Sequence, residues 1–249
     1  LRAAQSIRCN QPTISILYHK NMRESSLVEA INTVKLGMGY PSFTNNDWVI
    51  ASLMRQGMPI EAARNAGVVG CVSVCPVDSN NTTKRLALTV IAGKSVELAL
   101  NQGKCIITGN QIGPEEKPAE EFTNYEEVFD AIRKQLEYSI QMAVNVRNLA
   151  RHYEMKYRPN PLASALHRSP LEKGVDTISY EDYPNNYWLN LVGVINVVNS
   201  LAAIKKLVFE DKKYSLNDFI TAIQNNWEGY EPMRQEIINK VPKFGNDDD

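Results

Sequence analysis

The spacing of apolar residues predicts one long helix near the middle of the chain. From Val128 to Val144, apolar residues recur every three or four positions, so they share one helical face. The preceding Thr123 to Glu126 (Thr-Asn-Tyr-Glu) has the pattern of a capping box, in which two side chains bind free amides of the first helical turn. The face consists of Val128, Phe129, Ile132, Leu136, Ile140, Ala143 and Val144.

Shorter stretches predict further helices and a few strands. An alternating pattern predicts a strand at Thr13–Tyr18, and a β-branched run predicts another at Val68–Val74. A capping box from Ser26 to Glu29 predicts the start of a helix that Gly37 stops. The other predicted helices run from Asn46 or Asp47 to Gly57, over Ile60–Ala66, over Leu86–Leu100, over Leu191–Phe209 and over Ser215–Asn226.

This order of elements is rich in helices, with short strands between them. It favours an α/β fold whose strands are too scattered to define a complete sheet from the sequence. A length of 249 residues suits one large domain or two small ones. Residues 159–190 are rich in Pro, Ser, Tyr and Asn and predict a broken, loop-rich passage.

The charge balance argues against a nucleic-acid partner. The formal net charge is −1, whereas binding to phosphates needs a basic surplus. The most apolar window, Leu191–Leu207, is interrupted by Asn196, Asn199, Lys205 and Lys206, so no membrane span is predicted. No secretory signal opens the chain, and four dispersed cysteines suit a reducing compartment; we therefore expect a cytoplasmic protein.

No familiar catalytic or metal motif stands out. The three histidines, His19, His152 and His167, lack metal-ligand spacing. Cys71 and Cys75 have three residues between them and no second ligand pair, so a metal or redox function for them is only an alternative hypothesis. There is also no phosphate-binding loop and no dinucleotide fingerprint.

Cys71 nevertheless has an unusual context. It follows Gly70 and stands among valines, so we expect its thiol to be buried. Burial raises a thiol pKa and makes ionic nucleophilic catalysis unfavourable. Hydrogen-atom transfer fits better, because a thiyl radical carries no charge and a dry site protects it.

Several segments resemble the glycyl radical enzymes of the pyruvate formate-lyase type. Gly37–Asn46 resembles a Gly-x-Pro-Ser-Phe-x-Asn stretch of that family, and Ala66–Val72 resembles its cysteine-loop motif. The other three segments are Asn199–Phe209, Trp227–Tyr230 and Pro242–Asp249. All five occur in the family's order, so the resemblance extends along essentially the whole chain.

The resemblance implies that residues 1–249 form part of a ten-stranded α/β barrel, with Cys71 as the catalytic residue inside it. A glycyl radical on a C-terminal loop would take hydrogen from Cys71, which then takes hydrogen from a small organic substrate. No bound cofactor or metal is expected in this chain. The implied partners are an S-adenosylmethionine-dependent iron–sulfur activating enzyme and a second copy or small accessory subunits.

Two departures from the family pattern affect the expected activity. The glycine-loop motif would lie beyond Asp249, so we expect the chain alone to be inactive. Ser73 replaces the glutamate that many members use as an acid or base, and a hydroxyl cannot do this near neutral pH. The departures favour the branch that adds a hydrocarbon to fumarate, as benzylsuccinate and alkylsuccinate synthases do. Arylacetate decarboxylation, or another lyase reaction, is the alternative, and Thr108–Gly113 resembles the decarboxylase branch.

Two further alternatives remain open at this point. Tyr187 and Trp188 are candidates for an aromatic wall against an apolar substrate, although ordinary core packing would explain them as well. A non-catalytic binding or accessory relative that lacks the glycine loop would also account for both departures.

Overall fold

The computed structural model describes residues 1–9, 11–69, 73–77, 86–179 and 188–246, of which residues 69, 86, 87 and 188 are described by their backbone alone. The chain divides into two compact units. Unit 1 comprises residues 1–85 and 152–187, and unit 2 comprises residues 86–151 and 188–249.

Unit 1 begins with a parallel strand pair joined by a crossover helix. Strands β1 (Ser15–Tyr18) and β2 (Ser42–Asn45) are paired in parallel, from Ser15 with Ser42 to Tyr18 with Asn45. Parallel strands cannot be joined by a tight hairpin, and helix α2 (Glu24–Val34) makes the connection here. The elements are α1 (Arg2–Ile7), β1 (Ser15–Tyr18), α2 (Glu24–Val34), β2 (Ser42–Asn45), α3 (Asn46–Arg55), α4 (Ile60–Arg64), β3 (Ala66–Val69) and β4 (Ser73–Pro76).

Hydrogen bonds at Thr33 connect the first two helices of unit 1. Thr33 is fully buried, and its hydroxyl donates to the Glu29 carbonyl oxygen at 2.8 Å. The Thr33 hydroxyl oxygen in turn accepts a hydrogen bond at 2.8 Å from the side-chain amide nitrogen of Gln5 in α1. This buried polar group is therefore satisfied on both sides, as burial of a hydroxyl requires.

Unit 2 contains the second parallel pair and the larger apolar core. The elements of unit 2 are β5 (Leu86–Ile91), α5 (Gly93–Leu100), α6 (Tyr125–Tyr157), β6 (Trp188–Val192), α9 (Val194–Ile204), α10 (Leu216–Gln224) and α11 (Glu231–Lys240). Strand β5 pairs with β6, and the register of the pair is irregular between Leu86 and Leu88. Helix α6 continues past residue 151 into unit 1, where α7 (Pro161–Leu166) and α8 (Arg168–Lys173) follow.

The core of unit 2 gathers apolar faces from five helices. Burial of each large apolar side chain contributes about 1.5–3 kcal/mol. Helix α9 continues into a π-helical segment, Lys205–Glu210, and the chain then enters α10 through a capping box between Ser215 and Asp218. Prominent core residues are Leu100, Val128, Ile132, Val197, Ile204, Leu207, Phe219, Ile220 and Met233.

The predicted helix at Leu86–Leu100 is wrong over its first half. Leu86–Ile91 is strand β5, and the helix begins only at Gly93. Likewise, the first residues of the predicted helix Leu191–Phe209 belong to strand β6, and its last part is π-helical. In both cases an apolar run suited either structure, and pairing between β5 and β6 decided the outcome.

The predicted helix starts are displaced, by three residues for α2 and by one for α6. Helix α2 begins at Glu24, so Ser26 is not its cap. For α6, the side chain of Asn124 accepts from the Glu127 amide at 2.9 Å, one position later than predicted. The single strand predicted at Val68–Val74 is two antiparallel strands, and β2 was not predicted because it is short and lies next to a proline. Strand β1 and helix α10 are confirmed.

The mixed helix–strand architecture confirms the α/β class. Among the described residues, no helix is long and apolar enough to cross a membrane. The described strands form three two-stranded pairs, two of them parallel and one antiparallel.

Gly103 provides a test of packing in unit 2. It has φ +79° after helix α5, and an added Cβ would lie 2.8 Å from the Gly113 carbonyl oxygen and closer still to that of Pro114. We expect Gly103→Ala to lower the free energy of unfolding by roughly 2–5 kcal/mol, from overpacking together with a left-handed backbone. Chemical denaturation followed by circular dichroism measures this.

The matched control is Gly109→Ala in the same loop. Gly109 has a similar φ of +71°, but nothing lies within 4 Å of its added Cβ. Gly109→Ala should therefore lower the free energy of unfolding by only about 1–2 kcal/mol. Equal losses for the two variants would contradict the steric explanation.

Candidate functional site

The candidate cysteine belongs to the connection of an antiparallel hairpin in unit 1. Strand β3 pairs with β4 from Ala66 with Pro76 to Val69 with Ser73. By chain order, Cys71 is the middle of the three residues that join Val69 to Ser73. Residues 70–72 lie outside the described residues, so the structure does not test the prediction for Cys71.

The hairpin is fixed by packing at its side and by hydrogen bonding at its base. Ala66 and Val74 pack against an apolar cluster from helices α3 and α4 and the turn between them. At the base, the Val77 amide donates to the Asn65 carbonyl oxygen at 2.7 Å. The cluster consists of Val49, Leu53, Met58 and Ala63. Fixing both strands constrains where the connection that carries Cys71 begins and ends.

Ser73 and Cys75 lie on one face of strand β4, because side chains alternate along a strand. Ser73 is partly buried at the strand's first position, and Cys75 is buried with an exposed fraction of 2%. Ser73 is the first residue after the connection that carries Cys71. Its hydroxyl can donate and accept hydrogen bonds but does not ionise near neutral pH.

The predicted aromatic wall is only partly within the described chain. Tyr187 lies outside the described residues. Trp188 is the first residue of strand β6 in unit 2, where its backbone pairs with Leu86, and only its backbone is described. Ser73 belongs to unit 1, and the substrate-binding roles predicted for all three residues remain predictions.

Gly67 is the described glycine nearest in sequence to Cys71. Gly67 lies within strand β3, where an added Cβ would meet Val77 Cγ2 at 3.4 Å, an ordinary van der Waals distance. Packing against the described residues therefore does not require glycine at position 67.

The passage before the aromatic segment is organised by Asp176, which the sequence did not single out. Its carboxylate accepts from the Asn160 amide at 2.8 Å, the Ser164 hydroxyl at 3.1 Å and the Ile178 amide at 2.8 Å. Burial raises the pKa of Asp176, but these hydrogen bonds outweigh burial and hold the pKa below its usual value. Asp176 therefore ties the start of α7 to the turn that follows α8.

A metal site does not form among the residues that the structure describes. There, no group of three or more His, Cys, Asp or Glu side chains could hold a metal ion. The sequence analysis did not single out Lys94, which contacts Cys105, or Glu97, which accepts a hydrogen bond from the Ile106 amide in the same loop. The only signal in the sequence was their spacing of three residues, which places a lysine and a glutamate side by side on a helix.

The family described as "PFL-like: Pyruvate formate lyase-like" matches residues 1–249. Trans-4-hydroxy-L-proline dehydratase of Clostridioides difficile is 33% identical over 239 residues, which cover 96% of this chain and 30% of that protein. Indoleacetate decarboxylase of Tractidigestivibacter scatoligenes is 29% identical over 277 residues, covering 100% of this chain and 31% of that protein. The chain therefore spans about 30% of the length of these relatives.

A solved structure also matches along the whole chain. The crystal structure of hydroxyproline dehydratase (HypD) from Clostridioides difficile with bound trans-4-hydroxy-L-proline has a TM-score of 0.86 and 32% sequence identity. The match covers 100% of this chain and 31% of the solved one. The fold of the chain is accordingly that of part of a larger enzyme.

Replacement of Asp176 tests its role in this passage. Asp176→Asn removes one acceptor oxygen and should lower the free energy of unfolding at neutral pH. The folded-state pKa is depressed, so the ionic contribution is present above the unfolded pKa, near 4, and is lost as pH falls through the folded value. The difference between parent and variant, measured by urea denaturation, should narrow below about pH 4.

An exposed carboxylate serves as the control. Asp130 forms a 2.9 Å ion pair with Arg133 on the surface of α6, and Asp130→Asn should change stability by about 0–1 kcal/mol. A pH-independent effect of Asp176→Asn would contradict the assignment of an ionised Asp176.

Proposed function

The chain belongs to the pyruvate formate lyase-like family, and on that premise we propose that it is part of the catalytic barrel of a glycyl radical lyase. The observation that carries the proposal is the family match over residues 1–249, which includes the cysteine-loop sequence around Cys71. The relatives reported above include a dehydratase and a decarboxylase, so bond cleavage is the reaction class that they favour. The predicted fold, part of the family's α/β barrel, is confirmed.

Cys71 is proposed as the thiyl site. Its S–H bond breaks homolytically when the enzyme's glycyl radical takes the hydrogen atom, and the sulfur then takes a hydrogen atom from a substrate carbon. No charge develops on sulfur in either step, so a dry environment costs the thiyl radical little. The radical glycine and an S-adenosylmethionine-dependent activating enzyme that installs the radical are proposed to lie outside these 249 residues.

Ser73 limits the acid–base chemistry that the cysteine loop can supply in addition to hydrogen-atom transfer. Its hydroxyl can bind a substrate oxygen but cannot exchange a proton as a carboxylate would at neutral pH. A lyase with serine at this position must protonate its leaving group from another residue, or must cleave a bond whose leaving group needs no proton.

A second candidate function follows from the same residue. Addition of a hydrocarbon to fumarate abstracts a hydrogen, forms a carbon–carbon bond and returns the hydrogen, so it needs no acid beside the cysteine. Ser73 favours this reaction of benzylsuccinate and alkylsuccinate synthases, whereas the named relatives favour a lyase.

Product analysis distinguishes the two candidates. The complete protein is activated without oxygen and is offered trans-4-hydroxy-L-proline and indoleacetate in one set of reactions. Fumarate with toluene is offered in the other. Loss of water or carbon dioxide supports the lyase, and a fumarate adduct supports the second candidate.

Replacement of Cys71 tests its proposed role. In the activated complete protein, Cys71→Ala and Cys71→Ser should retain the glycyl radical signal in electron paramagnetic resonance and should lose turnover. Cys75→Ala is the matched control, because Cys75 is a buried cysteine four positions away with no assigned catalytic role. Turnover by Cys71→Ala at the parent rate would contradict the proposal.

Replacement of Ser73 tests whether it binds substrate or transfers a proton. Ser73→Ala removes one hydrogen bond and should raise KM roughly two- to tenfold while kcat stays close to that of the parent. Steady-state kinetics with the substrate that is turned over measures both constants. A collapse of kcat with unchanged KM would show that Ser73 takes part in the chemical step.

A further inference from the structure

A cysteine, a lysine and a glutamate meet in unit 2, whereas the hairpin around Cys71 belongs to unit 1. Lys94 and Glu97 lie in the first two turns of α5, and Cys105 lies in the loop after this helix. The Lys94 ammonium is 3.2 Å from Cys105 Sγ and 2.5 Å from Glu97 Oε1. An amine and a thiol thus lie in direct contact, and a carboxylate contacts the same amine.

The loop is held in place around this contact. The amide of Ile106 donates to Glu97 Oε1 at 2.9 Å, and the Cys105 amide donates to the Asn110 carbonyl oxygen at 2.9 Å. The Gly109 amide closes the turn by donating to the Cys105 carbonyl oxygen at 2.7 Å. These bonds hold the loop that carries Cys105, and Glu97 Oε1 holds the Lys94 amine beside it.

The surroundings favour the reactive, ionised form of the thiol. Hydrogen bonds from the Thr108 hydroxyl and amide, followed by the one from Lys94, lower the pKa of Cys105 to about 7, against the opposing effect of burial. The thiolate is the form that reacts with oxidants. At neutral pH a substantial fraction of Cys105 is thus a thiolate paired with the Lys94 ammonium.

An apolar depression of about 420 Å³ beside Lys94 offers a small oxidant a route to this side chain. Lys94 stands on its wall, where its side chain is 27% exposed. Apolar surroundings favour entry of an uncharged molecule such as dioxygen over ions. The other lining residues include Leu88, Val90, Leu98, Ile112, Tyr138 and Met142.

We propose that Lys94 and Cys105 are joined by an N–O–S crosslink when the protein meets dioxygen. The Cys105 thiolate, the Lys94 ammonium and one dioxygen molecule give the S–O–NH linkage and one water molecule. The S–O and O–N bonds form, and the O–O bond and two N–H bonds break. Sulfur and nitrogen each lose two electrons, and dioxygen accepts all four; two of the three ammonium hydrogens leave in water.

Glu97 is placed to receive a proton from the amine during this reaction. The carboxylate and the thiolate keep Lys94 charged before oxidation, whereas burial disfavours its charge. Oxidation of sulfur removes the thiolate charge from this balance, so the amine loses a proton more readily and can form the bond to oxygen. The crosslink then ties the first turn of α5 to the loop that follows the helix.

This modification is independent of the lyase proposal, because it needs neither Cys71 nor substrate. The protein is purified without oxygen, and one half is exposed to air before both halves are digested with trypsin and analysed by mass spectrometry. In the unexposed half, trypsin cleaves after Lys94 and Lys104 and releases separate peptides. In the exposed half, we expect a missed cleavage at Lys94 and a joined peptide pair that has gained one oxygen and lost two hydrogens; a thiol reductant should reverse the linkage.

Variants with conserved charge or size assign the linkage. Lys94→Arg keeps the positive charge but removes the amine, and Cys105→Ser removes the sulfur; either change should abolish the joined pair. Lys104→Arg is the matched control, because Lys104 precedes Cys105 directly and is exposed, and its variant should form the pair at the parent level. Glu97→Gln should form it more slowly.

Three results would overturn the proposal. The first is an air-exposed parent protein with a free Lys94 amine and an unlinked Cys105. The second is a crosslink that persists in Lys94→Arg or disappears in Lys104→Arg. The third is a joined pair that has lost two hydrogens without gaining oxygen, since that is a direct S–N bond.

Discussion

Parallel strand pairing is the constraint on which the rest of this structure depends. The β1–β2 and β5–β6 pairs cannot be closed by short turns, so helices must connect them and supply apolar faces against which the chain packs. In unit 1 this crossover is α2, which Thr33 and Gln5 hold against α1. In unit 2, α5 follows β5 at once, and its buried face joins the core that includes Ile204. The positions of the loops that carry chemistry follow from these packed helices.

The single antiparallel hairpin among the described strand pairs carries the candidate cysteine in its connection. A hairpin is suited to this task because both of its strands can be fixed while the connection stays short. Here the apolar cluster of α3 and α4 fixes one side, and the Asn65–Val77 hydrogen bond fixes the base. Fixed positions for the two strands matter for hydrogen-atom transfer, because the reacting atoms must meet without solvent between them.

Family membership and reaction type rest on different residues in this protein. The family match extends over the whole chain, whereas the reaction depends on a few side chains such as Ser73. A hydroxyl in place of a carboxylate changes proton chemistry without changing the hairpin, because both side chains fit at the first position of a strand. The expectation of fumarate addition rests on Ser73 together with the absent glycine-loop motif, whereas the named relatives are a dehydratase and a decarboxylase.

The sequence by itself determined the α/β class, the long helix α6, strand β1 and the resemblance that names Cys71, because periodicity and short motifs are local properties. It did not determine that Leu86–Ile91 is a strand, because an apolar run suits a helix or a strand until a partner such as β6 pairs with it. Nor could it reveal Asp176 as an anchor or the contact between Lys94 and Cys105. Those depend on groups separated by up to 16 residues, and only tertiary packing brings such groups within hydrogen-bond distance.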